Sequence, residues 1–304
     1  MARNSWRGVY TAITTKFDGA GEVDVPAVKA DVRFQIEAGV DGIICCGSLG
    51  EASTLEAEEK MTIASAAKAE AAGKVPVMLT IAEDSTRAAA RLARQADDLG
   101  LDGLMVLPAM RYVSTPKETI AHFRTVADAS DQRIMVYNNP VAYGVDITPQ
   151  MLAEIADEQK FVAIKESSAD LRRFTDIINA TDGRYQIFTG VDDLAFESLL
   201  LGAVGWVAGL VCAFPRETVA IFRLVENGRI EEARAIYRWF MPLLHLDFSP
   251  RFVQNIKLAE HVVRGTSPSV RAPRLELDGT EREQVIGVVK AALDKRPDVA
   301  KYGF

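Results

Sequence analysis

The chain has no apolar stretch approaching the about eighteen uninterrupted residues that a membrane-spanning helix requires. Its first residues, Met1 to Arg7, lack the apolar centre of a secretory signal, so a cytoplasmic protein with no membrane partner is expected. Cysteine is scarce. The three thiols, Cys45, Cys46 and Cys212, lie in apolar runs without CxxC or Cys/His spacing, which excludes a disulfide framework and predicts buried free thiols. Histidine is equally sparse: His122, His245 and His261 are far apart, with no HExxH pattern, so a zinc or histidine-triad mechanism has no support. Basic runs are also absent, and a net charge of −7 spread over both signs makes nucleic acid an unexpected partner. No GxGxxG follows the first strand candidate and no GxxxxGK[ST] occurs anywhere, so no nucleotide site is predicted.

What is present is a regular alternation. Short runs rich in branched residues recur at Val9 to Thr14, Gly42 to Cys46, Val75 to Ile81, Gly103 to Leu107, Arg133 to Asn138, Phe161 to Lys165, Tyr185 to Thr189 and Gly205 to Gly209. Helical patterns separate them. Val25, Val28, Val32 and Ile36 follow helical spacing, Asp84-Ser85-Thr86 opens an alanine- and arginine-rich segment, and Thr115-Pro116 and Thr148-Pro149 set an N-cap before a first-turn proline. Eight strand-helix units suit a (β/α)8 TIM barrel, whose usual length is about 250 residues, with a doubly wound open sheet as the structural alternative. The expected organisation is a barrel over residues 1–225 and a C-terminal helical extension packed on it over 226–304.

Catalytic groups in such a barrel sit at the C-terminal ends of the strands. The sixth run, Phe161-Val162-Ala163-Ile164-Lys165, ends an apolar strand on a lysine. Burial disfavours an ammonium, leaving free amine to attack a carbonyl, whereas a lysine that snorkels to solvent does no such chemistry. The fifth run ends in Tyr137-Asn138-Asn139-Pro140, where a phenol can enter the barrel mouth as proton donor or acceptor or simply pack as a core aromatic. Parallel neighbours lie about 4.8 Å apart, so Tyr137 and Lys165 can reach one substrate carbon. The second run ends in Gly47-Ser48-Leu49-Gly50-Glu51, a turn whose amides can hold a carboxylate or merely link strand to helix.

These three strand ends, with the Thr189-Gly190 turn and the glycine-bounded eighth strand at Gly205 to Gly209, resemble the class I aldolase superfamily of dihydrodipicolinate synthase and N-acetylneuraminate lyase. The resemblance implies a (β/α)8 barrel with C-terminal helices, a homotetramer built as a dimer of dimers, and no metal or organic cofactor. By the same resemblance Lys165 forms an imine with a 2-oxo acid and Tyr137 shuttles protons. Gly47, Ser48 and Leu49 bind the carboxylate, and Gly190 and Val207 border the imine. Beyond the resemblance, Asn139 and Tyr143 are expected as further contacts to the substrate's hydroxyl or carboxylate.

The chain departs from the synthase pattern at three positions. Leu49 stands where the synthase has a second hydroxyl residue, Met110 replaces the tyrosine lent by a neighbouring subunit, and Val141-Ala142-Tyr143-Gly144 lacks the arginine that recognises the second substrate. Condensation of pyruvate with aspartate semialdehyde is therefore not expected. The stretches Gly205 to Pro215 and Tyr237 to Asp247 are similar to a subgroup, the Δ1-pyrroline-4-hydroxy-2-carboxylate deaminases of hydroxyproline breakdown, which form 2-oxoglutarate semialdehyde and ammonia. In those stretches Trp206, Phe214 and Tyr237 to Phe240 can equally be wall and core residues. A 2-keto-3-deoxy sugar acid dehydratase or aldolase would use the same lysine and tyrosine, and a non-catalytic 2-oxo acid binding protein would need only the Ser48 loop.

Overall fold

The computed structural model describes residues 6–109 and 112–303. In chain order the elements are β1 (Gly8–Ala12), α1 (Val25–Glu37), β2 (Gly42–Cys45), α2 (Ala57–Ala71), β3 (Val77–Ile81), α3 (Thr86–Asp98) and β4 (Gly103–Val106). They continue as α4 (Pro116–Asp128), β5 (Ile134–Asn138), α5 (Pro140–Tyr143), α6 (Pro149–Glu154), β6 (Phe161–Glu166), α7 (Arg172–Thr181), β7 (Gln186–Thr189), α8 (Ala195–Leu200), β8 (Gly205–Ala208) and α9 (Pro215–Glu226). Three more helices close the chain: α10 (Ile230–Leu244), α11 (Phe252–Arg264) and α12 (Gly279–Leu293).

All eight strands are parallel and each pairs with its sequence neighbours, while β1 also pairs with β8 through Gly8 opposite Gly205 and Val9 opposite Trp206. The sheet is closed. This is a (β/α)8 barrel with additional C-terminal helices, and the open-sheet alternative is excluded by that last pairing. Among the described residues no helix is long and apolar enough to cross a membrane.

Local chemistry starts the helices where the pattern predicts. Ser85 caps α3 by accepting from the Ala88 amide at 3.2 Å, and Thr115 and Glu118 form a reciprocal capping box ahead of Pro116. Thr148 accepts from the Met151 amide ahead of Pro149 in the same way. On α1, Val28 and Val32 are buried against the barrel as their spacing requires.

Several strands are shorter than their apolar runs, for identifiable reasons. Pro76 has no amide proton to give to the ladder, so β3 begins at Val77. β1 ends at Ala12, and beyond it the Thr14 hydroxyl donates to Glu260 at 2.7 Å. β8 stops at Ala208 because the Gly209 amide turns to the Asp192 carboxylate at 3.2 and 3.3 Å. In the opposite sense β6 extends one residue to Glu166, which pairs with Asn138 of β5 and accepts from its side chain at 3.0 Å.

Candidate active site

β5 and β6 are in register with Tyr137 directly beside Lys165, on the mouth ends of adjacent strands. Both side chains are buried, Lys165 at 8% and Tyr137 at 5% exposure. The lysine Nζ lies 4.3 Å from the centroid of the tyrosine ring, over its face. Among the described residues no carboxylate lies within ion-pairing distance of that amine.

Burial is the main influence on the lysine, and it lowers the pKa from the ordinary value, with Tyr143, Asp247 and Asp192 opposing it. Burial likewise raises the pKa of the Tyr137 phenol, against a hydrogen bond from Asn139. The pair thus favours a neutral amine beside a protonated phenol. That is the combination a carbonyl-addition site needs, a nucleophile with a proton donor alongside.

A second layer of hydroxyls continues from Tyr137. Asn139 Nδ2 donates to the Tyr137 hydroxyl oxygen at 3.1 Å, while Asn139 Oδ1 caps the short helix α5 by accepting from the Ala142 amide. Tyr143, at the end of α5, meets the Tyr137 ring edge-on at 6.0 Å between centroids, and its hydroxyl is hydrogen-bonded to Ser48 Oγ. Burial pushes the Tyr143 phenol well above its usual range. Ser48, Tyr143, Tyr137, Asn139 and Lys165 therefore form one continuous set across the mouths of β2, β5 and β6.

Gly190, after β7, closes the other side. Its amide donates to the Glu166 carbonyl at 2.9 Å, and a Cβ at this position would stand 2.5 Å from Lys165 Cε and closer still to Ser167 Oγ. Only glycine leaves room for the lysine stem there. Ser167 is itself buried with no hydrogen-bond partner, yet its hydroxyl lies near enough to Tyr137 to oppose the rise of the phenol pKa.

The remaining sequence-predicted residues are placed differently. Leu49 and Val207 are buried at 5% and 1% exposure, and their side chains belong to the hydrophobic core. Gly47 is buried beside Thr80 and Met105. Met110 lies outside the described residues. Trp206, Phe214 and Phe240 are fully buried, and Trp239 stacks on Phe240 at 5.4 Å, so the tryptophan- and phenylalanine-rich stretches serve packing. The three cysteines are free and buried. His122 is buried between Thr86 and the Leu107 carbonyl.

Two carboxylates were not foreseen. Asp192, just after β7, accepts from Trp206 Nε1 at 2.8 Å and from the Gly209 and Leu210 amides, which ties β7 to the end of β8. Asp247, beyond α10, lies against Gly209, and both carboxylates act electrostatically on Lys165. Asp192 stands two residues after the Thr189-Gly190 turn, a position that strand-end reading can reach. Asp247 has no such local signal.

A buried lysine against a tyrosine at the C-terminal mouth of a (β/α)8 barrel defines an enzyme of the class I Schiff-base lyases. The profile described as the dihydrodipicolinate synthetase family matches residues 5–292. The chain is 30% identical over 285 residues to the 4-hydroxy-tetrahydrodipicolinate synthase of Syntrophus aciditrophicus, covering 94% of this chain and 98% of that one. It is 31% identical over 273 residues to the protein of the same name from Methanospirillum hungatei, covering 88% and 93%. Among solved structures, dihydrodipicolinate synthase from Thermotoga maritima superposes with a TM-score of 0.89 at 27% identity, over 95% of this chain and 98% of that one. A prophage protein of the dihydrodipicolinic acid synthase family from E. coli K12, solved in complex with pyruvate, gives 0.90 at 27% identity over 95% and 99%. The chain belongs to the dihydrodipicolinate synthetase family.

Proposed function

We propose that the protein converts Δ1-pyrroline-4-hydroxy-2-carboxylate to 2-oxoglutarate semialdehyde and ammonia through an imine on Lys165. The observation that carries the imine step of this reading is the buried Lys165 amine over the Tyr137 ring, with no ion-pair partner among the described residues. Lys165 attacks C2 of the cyclic imine, one proton from the lysine nitrogen and one from the Tyr137 phenol pass to the ring nitrogen, and the C2–N bond breaks, leaving the chain bound as a lysine iminium with a free amine at C5 and Tyr137 as the phenolate. The iminium withdraws electrons from C2 and acidifies C3. Tyr137 carries the proton away, and the enamine then expels the C4 hydroxyl as water.

Tautomerisation moves the unsaturation to the C5 nitrogen, water releases ammonia from that end, and a second water frees the 2-oxo acid from Lys165. Ser48, Tyr143 and Asn139 supply the hydroxyl and amide groups that hold the substrate's carboxylate and hydroxyl. The backbone around Gly47 and Leu49 continues that cradle, and Gly190 and Val207 flank the imine. The reaction requires no metal or organic cofactor.

The activity named for the synthase relatives is not carried over. The α5 turn presents exposed Val141 and Ala142, with no cation to pair with the carboxylate of a second substrate. The homotetramer belongs to the same proposal. It is supported by exposed Tyr112, Val113 and Val141, at 58%, 69% and 65% exposure, around the mouths of β4 and β5.

Purified protein incubated with Δ1-pyrroline-4-hydroxy-2-carboxylate is expected to release ammonia and 2-oxoglutarate semialdehyde in equal amounts, and Lys165→Ala to release neither. No product from folded wild-type protein would discard the deaminase reading and direct the search to 2-keto-3-deoxy sugar acids.

A further inference from the structure

Asp247 sits in the turn that leaves α10, its amide donating to the Leu244 carbonyl at 3.0 Å. The carboxylate reaches back over the barrel. A Cβ on Gly209, the residue after β8, would stand 2.7 Å from Asp247 Oδ1 and 3.1 Å from Ile256 Cδ1, so glycine at 209 is what allows the approach. Two carboxylates thus converge on Gly209. Asp192 is engaged by Trp206 Nε1 and the amides of Gly209 and Leu210. Asp247, among the described residues, receives no hydrogen bond and forms no ion pair, although it acts electrostatically on both Lys165 and Tyr137. Fully buried Asp192 collects donors, as a carboxylate held for structural reasons does, whereas Asp247 is half-buried. Asp247 collects none and stands beside Gly209, at the mouth end of β8, from where it acts electrostatically on Lys165.

We infer that Asp247 is the catalytic residue for the distal end of the substrate, giving a proton to the departing C4 hydroxyl and then taking one from C5. The inference rests on the deaminase reading. In the first step the enamine nitrogen reforms its double bond to C2, and the C2=C3 pair becomes C3=C4. The C4–O bond then breaks with its electrons on oxygen, which leaves as water with the Asp247 proton. In the second, the resulting carboxylate removes a C5 proton; the C5–H pair forms C4=C5, the C3=C4 pair returns to C2=C3, and the iminium charge is neutralised. Asp247 ends protonated as it began, and no redox partner is required.

The electrostatics agree with this cycle. Burial, aided by the neighbouring Asp192, raises the Asp247 pKa well above the carboxylate range, while Lys165 pulls it down. Burial thus favours the protonated acid at Asp247, and a growing positive charge at Lys165 favours release of that proton.

The test separates this step from imine formation. Asp247→Asn is expected to lower ammonia release from Δ1-pyrroline-4-hydroxy-2-carboxylate by about 100-fold or more. The same variant should still trap pyruvate on Lys165 under borohydride and exchange the pyruvate methyl protons with deuterated solvent at the wild-type rate. Gly209→Ala displaces the carboxyl group without removing it and should reproduce the pattern. Ammonia release by Asp247→Asn at the wild-type rate would overturn the inference, as would loss of pyruvate trapping and exchange together with ammonia release in both variants. Wild-type protein that releases no ammonia would instead overturn the deaminase reading, and this step with it.

Discussion

At the residue scale the candidate site rests on one lysine that is buried with no ion-pair partner among the described residues. Lys165 ends a strand of otherwise apolar residues, so its stem follows the barrel wall and its amine emerges over the Tyr137 ring rather than into solvent. That much could be read from the chain, because a strand end in a parallel barrel fixes both location and neighbour. The Tyr137 and Lys165 pairing needed only correct strand ends in two consecutive runs. Asp192 and Asp247 were less accessible. Asp247 is far from Lys165 in sequence, and its approach depends on the Gly209 turn and on where α10 stops, neither of which periodicity specifies. Leu49 and Val207, given site positions by the resemblance, are buried with their side chains in the core, as Tyr137 is.

At the scale of elements, caps mark the helix starts and branched runs mark the strands, and strand ends shift by one or two residues for local reasons, at β3 because Pro76 lacks an amide proton and at β8 because Asp192 takes the Gly209 amide. The attachment of α11 to the barrel was not visible in sequence at all. Lys257 of α11 is fully buried and donates to Glu51 Oε1 at 2.5 Å and to the Ser269 carbonyl at 2.6 Å. Glu51, the last residue of the Gly47 to Glu51 turn, also accepts from the Arg271 amide at 3.0 Å. Nearby, Glu260 of the same helix joins Lys16 at 2.5 Å and Arg264 at 3.4 Å, with Asp31 of α1 completing the group. The glutamate of the turn therefore holds α11 rather than substrate. Removing one partner of a buried pair leaves an uncompensated charge, at a cost of about 3 to 5 kcal/mol. Glu51→Ala is expected to lose stability of that order in denaturant unfolding followed by far-UV circular dichroism. A change within about 1 kcal/mol would place the attachment of α11 elsewhere.

At the scale of the whole molecule, eight repeated units indicated a barrel, but closure depends on β1 meeting β8, a contact between residues almost two hundred positions apart. No local pattern encodes it. We propose that residues 226–304 are an extension of the barrel over residues 1–225 rather than an independent unit, since Lys257 and Glu260 are buried against the barrel's own residues. The exposed apolar side chains near the barrel mouth lead to the assembly prediction. Light scattering should give four times the 33.2 kDa chain mass, and the mass of a single chain would contradict the tetramer.

The proposed chemistry turns on the imine, and the most direct measurement is mass spectrometry of the protein after borohydride treatment with pyruvate, with peptide mapping of the modified residue. The predicted result is one reduced adduct per chain, located on Lys165 and absent from Lys165→Ala. An adduct on another lysine, or none on folded wild-type protein, would contradict the assignment of Lys165 as the nucleophile.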